Sequence, residues 1–265
     1  MRFKFISLVA FVFITVSISG CATPAPRVAM VIGNGDYEHT SPLLNPPNDA
    51  RAIGERLAAQ GWAVSTAIDL PRAELQEALA SFEKRVARAD QAIFFYAGHS
   101  LQIDGENYLM PVEFEPQSAT VERDLVSIND AIARLAAAPG QMAVLLDASR
   151  DNPLAIVYHR TSRGRETEDL HFGLGLAEVP AGDGTYVAFS TAPGHVAFDG
   201  TAGHSPFSKA ILNHIDLKNQ DVRTLLVRVR DEVMTSTGGS QVPWDYSSLI
   251  EDFWIDDDSL ASPKN

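Results

Sequence analysis

Two apolar runs of this chain end in side chains that can do chemistry. AIFFYAGHSLQ (92–102) passes from strand-like apolar residues into Gly98, His99 and Ser100, and QMAVLLDASRDN (141–152) passes into Asp147, Ser149 and Arg150. A histidine at such a place can act as a general base, because its charge changes near neutral pH. GHSLQ comes within one residue of the GxSxG nucleophile elbow, but Gln102 holds the place of the final glycine and no helical pattern follows. Ser149 is the other hydroxyl. A serine nucleophile needs a base bonded to it and a third group to orient that base. No acidic motif marks the third group, although Asp104 and Glu106 follow His99 closely.

The elements that carry these residues alternate in type. RVAMVIG (27–33), DQAIFFYA (90–97), QMAVLLD (141–147) and TYVAFST (185–191) are apolar on both faces, as strands covered by helices on both sides should be. GWAVSTAI (61–68) is a weaker fifth. Between them, Leu75, Leu79, Phe82 and Val86 recur at helical spacing, as do Ile128, Ile132 and Leu135, then Phe207, Ile211 and Ile215, then Val222, Leu225, Leu226, Val229 and Val233. Asn48 or Asp49 can cap a helix carrying Ile53 and Leu57 that stops at Gly61. This βαβ pattern predicts an α/β fold with a mainly parallel central sheet and helices on both faces. In such sheets ligands gather beyond the C-terminal ends of the strands, where His99 and Ser149 both fall. Asp104-Gly105 predicts a hairpin within 100–113, and the charged, aperiodic stretch 150–184 reads as a surface loop.

The ends of the chain read differently. Arg2 and Lys4 precede an apolar segment, Ile6 to Ile18, that is short for a membrane span and has the form of a secretory signal peptide. It ends in Ile18-Ser19-Gly20-Cys21, which resembles the lipobox of bacterial lipoproteins, with Cys21, the only cysteine, as the lipidated first mature residue. The expected division is a signal peptide (1–20), a tether (21–26), one domain (27–255) and an acidic, polar tail (256–265). The expected location is outside the cytoplasm, on the periplasmic or cell-surface side of a bacterial membrane, held by a lipid at Cys21. Removing Arg2 and Lys4 takes the formal net charge of −13 to about −15. That surface disfavours nucleic acid and anionic lipid and suits partners with basic side chains.

With the strands in place, the distance between the two chemical centres becomes informative. Ser149 follows His99 by 50 residues, the separation of histidine and nucleophile in caspases, and Ala148 and Arg150 match the caspase nucleophile motif at their own positions. The blocks RVAMVIGNGDYEHTSPLLNPPNDARAI, FFYAGHSLQIDGENYLMPVE, LLDASRDNP, AFSTAPGHVAFDGTAGHSPFSKAIL and VRDEVMTSTGGSQVPWDYSSL occur in this order. Together they resemble the bacterial caspase-like peptidases related to metacaspases. The resemblance implies a caspase-hemoglobinase fold and a His/Cys dyad that cleaves after Arg or Lys. His99 matches the dyad histidine and Ser149 the dyad cysteine. Asp49 and Asp147 match the acidic residues that bind a basic side chain, although Asp49 also reads as a helix cap and Asp147 as a strand end. Calcium dependence occurs among metacaspase relatives. The run Asp256 to Asp258 lacks the alternating pattern of a calcium loop, and the histidines show no zinc-ligand spacing, so no metal or other cofactor is expected.

Two departures from the family pattern bear on activity. Ser100 stands where a glycine amide helps form the oxyanion hole, and a side chain there would be strained if the position required a positive φ. Ser149 replaces a thiol that is partly ionised at neutral pH and strongly nucleophilic, and a hydroxyl is neither. The expectation is a membrane-anchored pseudopeptidase that binds proteins or peptides through Arg or Lys side chains without cleaving them. The alternative is an endopeptidase of the same specificity that uses Ser149 with His99.

Overall fold

Alternate residues of the central strands face opposite helical layers, and both sets are apolar. The computed structural model describes residues 27–116, 121–138, 140–148, 172–173, 175–179, 182–201 and 203–256. Cys21 and Ser149 lie outside them, as do the expected signal peptide and tether and most of the tail. In chain order the elements are β1 (Arg27–Gly33), α1 (Pro46–Ala59), β2 (Ala63–Ile68), α2 (Arg72–Val86), β3 (Gln91–Ala97), β4 (Ser100–Ile103) and β5 (Glu106–Leu109). There follow α3 (Val121–Asp124), β6 (Val126–Ser127), α4 (Ile128–Ala136), β7 (Gln141–Asp147), β8 (Phe172–Gly173), β9 (Thr185–Phe189), α5 (Pro206–His214), α6 (Val222–Ser236) and β10 (Trp244–Ser247). The main sheet has the order β10-β9-β7-β3-β1-β2 and is parallel except for β10. This is the mainly parallel α/β architecture the sequence predicts.

One layer packs Met30, Ile32, Phe94, Tyr96, Val144 and Leu146 against α2 and α4. The other packs Val31, Ile93, Phe95, Leu145 and Tyr186 against α1, α5 and α6. Strand residues are buried on both faces because helices cover both, which removes the polar/apolar alternation of a half-exposed strand. β2 lies at the edge and is only partly buried, in keeping with its weaker pattern. Among the described residues no helix is long and apolar enough to cross a membrane.

A second, antiparallel sheet of order β6-β5-β4-β8 branches from the end of β3. Its hairpin turns at Asp104 and Gly105, whose φ values of 51° and 86° make the left-handed pair that a two-residue turn requires. The stretch 150–184 contributes more than a surface loop, because Phe172–Gly173 pairs with β4. One further expectation needs correction, and one element was not foreseen. The first α-helix starts at Pro46, and neither Asn48 nor Asp49 caps it. A proline is favoured at the first helical position because its fixed φ suits the helix and its missing N–H would have no partner there. This sets the start three residues ahead of Asp49 and turns the Asp49 carboxylate into the protein. The strand β10 was not expected at all, since WDYS is short, polar and bordered by turn residues.

The C-terminal segment is tied down by Asp221. Its carboxylate caps α6 by accepting from the Arg223 amide (2.9 Å), pairs with the Arg223 side chain, and accepts from the Phe253 amide (2.8 Å). Burial alone would raise the Asp221 pKa, but the Arg223 guanidinium and the two amides hold it below the usual carboxylate value. A carboxyl whose pKa is depressed on folding stabilises the fold above its unfolded value, and that stability is lost as the pH falls through the folded value. Asp221→Ala is expected to destabilise the protein by about 2 kcal/mol at neutral pH. Urea unfolding should show the difference shrinking at acid pH.

Candidate active site

The parallel register sets Gly33, Ala97 and Asp147 side by side at the C-terminal ends of β1, β3 and β7. His99 therefore follows its strand's last paired residue by two positions, and Ser149 follows Asp147 by the same two in sequence. This register brings the ends of β3 and β7 level with each other.

His99 is buried and held on every side. Its amide donates to the Tyr37 hydroxyl (2.7 Å), and its carbonyl accepts from the Tyr96 hydroxyl (2.8 Å) and the Met110 amide (3.2 Å). The imidazole lies 4.6 Å from the Tyr37 ring, and its Nε2 is 2.9 Å from the Ser41 carbonyl oxygen. A carbonyl can only accept, so Nε2 carries the proton and Nδ1 is the basic nitrogen. The third group absent from the sequence reading is thus a backbone carbonyl, which no side-chain motif could reveal.

The loop that presents Tyr37 and Ser41 is itself fixed by buried polar groups. Asn34 is fully buried; its side chain donates to the Met110 carbonyl (3.2 Å) and accepts from the Leu70 amide (3.0 Å). Asp69 accepts from the Gly35 (2.7 Å) and Asp36 (3.0 Å) amides. A Cβ on Gly33 would lie 2.2 Å from the Pro46 carbonyl oxygen, and one on Gly35 2.4 Å from that of Leu43. Glycine is therefore required at both positions of the Gly-Asn-Gly turn.

Ser100 opens β4 and is buried. It is not among the residues with positive φ, so its side chain carries no backbone strain. The His99 carbonyl accepts from the amide of Met110, the residue after β5, and alternation along an antiparallel strand turns the next amide, that of Ser100, to the opposite edge. The substitution at 100 leaves the backbone of the expected oxyanion position in ordinary geometry.

Asp49 and Asp147 are fully buried and meet at the residue that caps α5. Ser205, the N-cap of α5, donates its hydroxyl to Asp147 Oδ2 and its amide to Asp49 Oδ2 (3.4 Å). Asp147 Oδ2 also accepts from the Ser208 hydroxyl (2.7 Å), and Asp49 Oδ1 pairs with His204 Nδ1 at 2.7 Å. Burial, then the nearby Lys209 ammonium, push the His204 imidazole below its usual pKa. At neutral pH it is a neutral ring that donates Nδ1–H to Asp49. The sequence showed no reason to join His204 or Ser205 to these carboxylates, which lie 155 and 58 residues away along the chain. The Ser205-Pro206 pair was a legible helix start, and that was the available signal.

His99 and Asp147 lie at the C-terminal edge of the parallel sheet, where ligands gather in α/β folds of this kind. The chain matches the caspase domain over residues 26–254, and it belongs to that family. No curated protein matches it. The caspase domain is a cysteine peptidase scaffold, and here the position two residues beyond Asp147 is Ser149.

Proposed function

We propose that this chain is a caspase-like pseudopeptidase, anchored to a bacterial membrane by a lipid at Cys21. It binds proteins or peptides through Arg or Lys side chains and does not cut them. The observation that carries this reading is Ser149 at the nucleophile position of a caspase domain. Support for retained binding comes from Asp49 and Asp147, two buried carboxylates joined through Ser205 beside the strand ends. A guanidinium or ammonium group suits such carboxylates through charge-assisted hydrogen bonds. In this reading Ser100 keeps its amide at the oxyanion position, and the site uses no metal or cofactor.

One observation favours the second reading, an active endopeptidase using Ser149 with His99. The Ser41 carbonyl already orients His99 as a base, which a hydroxyl nucleophile would require. Binding and cutting are separable. A single-arginine peptide should bind the full-length chain and remain intact, and Asp147→Asn should weaken that binding at least about tenfold. Titration calorimetry with mass spectrometry of the recovered peptide measures both; turnover abolished by His99→Ala would replace the first reading with the second. Anchoring predicts that a fatty-acid label enters the chain and is lost in Cys21→Ser.

A further inference from the structure

We propose that His204 is a specificity-determining residue of the basic-side-chain site, an internal occupant that a ligand must displace from Asp49. This rests on the reading of Asp49 and Asp147 as the carboxylates that receive Arg or Lys. Asp49 is fully buried, and its Oδ1 is taken by His204 Nδ1 at 2.7 Å. A guanidinium or ammonium group bonding to that oxygen would take the imidazole's place. The His204 side chain is 31% exposed, so it has solvent to move into while Asp49 stays where it is. It stands directly after Gly203 (φ 84°) and four residues after Gly200 (φ 80°), both in backbone conformations that favour glycine.

The arrangement separates the two carboxylates by task. Asp147 accepts from the hydroxyls of Ser205, the N-cap of α5, and Ser208 in its first turn, and is thereby tied to the start of that helix. Asp49 carries the exchangeable partner. Among the described residues, the charged groups that act on His204 are Asp49 from α1 and Lys209 from α5, with Asp147 on β7 reached through Ser205. At neutral pH the uncharged ring is a weak competitor for a cation. Protonated, it becomes a cation in its own right, and its pairing with Asp49 strengthens. The site then accepts arginine at neutral pH and rejects it in acid.

The test uses the full-length chain and a fluorescent peptide with one arginine, beside the same peptide with citrulline. Binding is measured by fluorescence anisotropy at about pH 8 and about pH 5, the lower value set well under the ordinary histidine range because burial and Lys209 lower that of His204. The parent should bind the arginine peptide about tenfold more weakly at the lower pH. His204→Ala should bind it about tenfold more tightly than the parent at the higher pH, with little change between the two. His204→Gln keeps a hydrogen-bond donor without a titrating group, so it should bind like the parent at the higher pH and lose the pH dependence. Thermal unfolding identifies a variant that has failed to fold, in which case His204→Gln carries the test alone. Survival of the parent's pH dependence in His204→Gln overturns the proposal, as does no gain of affinity in folded His204→Ala. If arginine and citrulline peptides bind equally, or neither binds any variant, the basic-side-chain reading itself falls and the proposal falls with it.

Discussion

Ser149→Cys is expected to raise cleavage after arginine or lysine by at least about a thousandfold over the parent, and His99→Ala in that background should remove the gain. The reason lies in what the surroundings of His99 already supply. Its Nε2–H is committed to the Ser41 carbonyl, so the basic nitrogen is defined before any nucleophile is present. Its amide and carbonyl are fixed by the Tyr37 and Tyr96 hydroxyls. Ser100 has an amide in unstrained geometry at the expected oxyanion position. A thiol with an ordinary pKa near 8.5 then needs only a modest push to become a thiolate, whereas a hydroxyl must lose its proton during attack. Fluorogenic arginyl and lysyl substrates read the outcome. A silent Ser149→Cys chain that is folded and still binds the arginine peptide would show that the scaffold has lost more than its nucleophile.

The sheet was legible because its central strands are short runs with apolar residues on both faces, bounded by turn residues, a pattern that half-exposed strands do not share. Phe94 and Phe95, or Val144 and Leu145, point to opposite layers and are buried in both. Trp244–Ser247 escaped because an edge strand needs partners on one side only and its residues are half exposed. His99, Asp49 and Asp147 were legible as residue types in family-like blocks; their partners were not. Ser41 acts through a carbonyl, a group every residue has. His204 reaches Asp49 across 155 residues of chain, and local pattern cannot encode such a contact. Asp49 shows the limit most directly. A carboxylate near a helix start has a sufficient local explanation as a cap, and only the placement of Pro46 and α5 turns it into half of a buried pair.

The same distinction between residue type and placement makes Gly98 a sensitive position. Gly98→Ala is expected to destabilise the fold by about 2 kcal/mol and, in the Ser149→Cys chain, to cut turnover about a hundredfold. A Cβ at Gly98 would stand 2.7 Å from the Tyr37 hydroxyl and 2.7 Å from that of Tyr96. Neither tyrosine can yield without consequence. Tyr37 receives the His99 amide and packs against the imidazole, and Tyr96, fully buried in the sheet, donates to the His99 carbonyl. Moving either hydroxyl shifts the peptide groups on both sides of the histidine, so the damage should fall on turnover more than on binding at Asp49 and Asp147. Tyr37→Phe removes one of the two clashing oxygens and also one of the two anchors. In Gly98→Ala/Tyr37→Phe the stability loss should therefore be smaller than the sum of the single losses, while turnover stays low. Urea unfolding and steady-state kinetics on the four chains of that cycle measure both quantities. Additive stability losses would mean that the methyl group is accommodated elsewhere and that the close approach to Tyr37 is not what demands glycine.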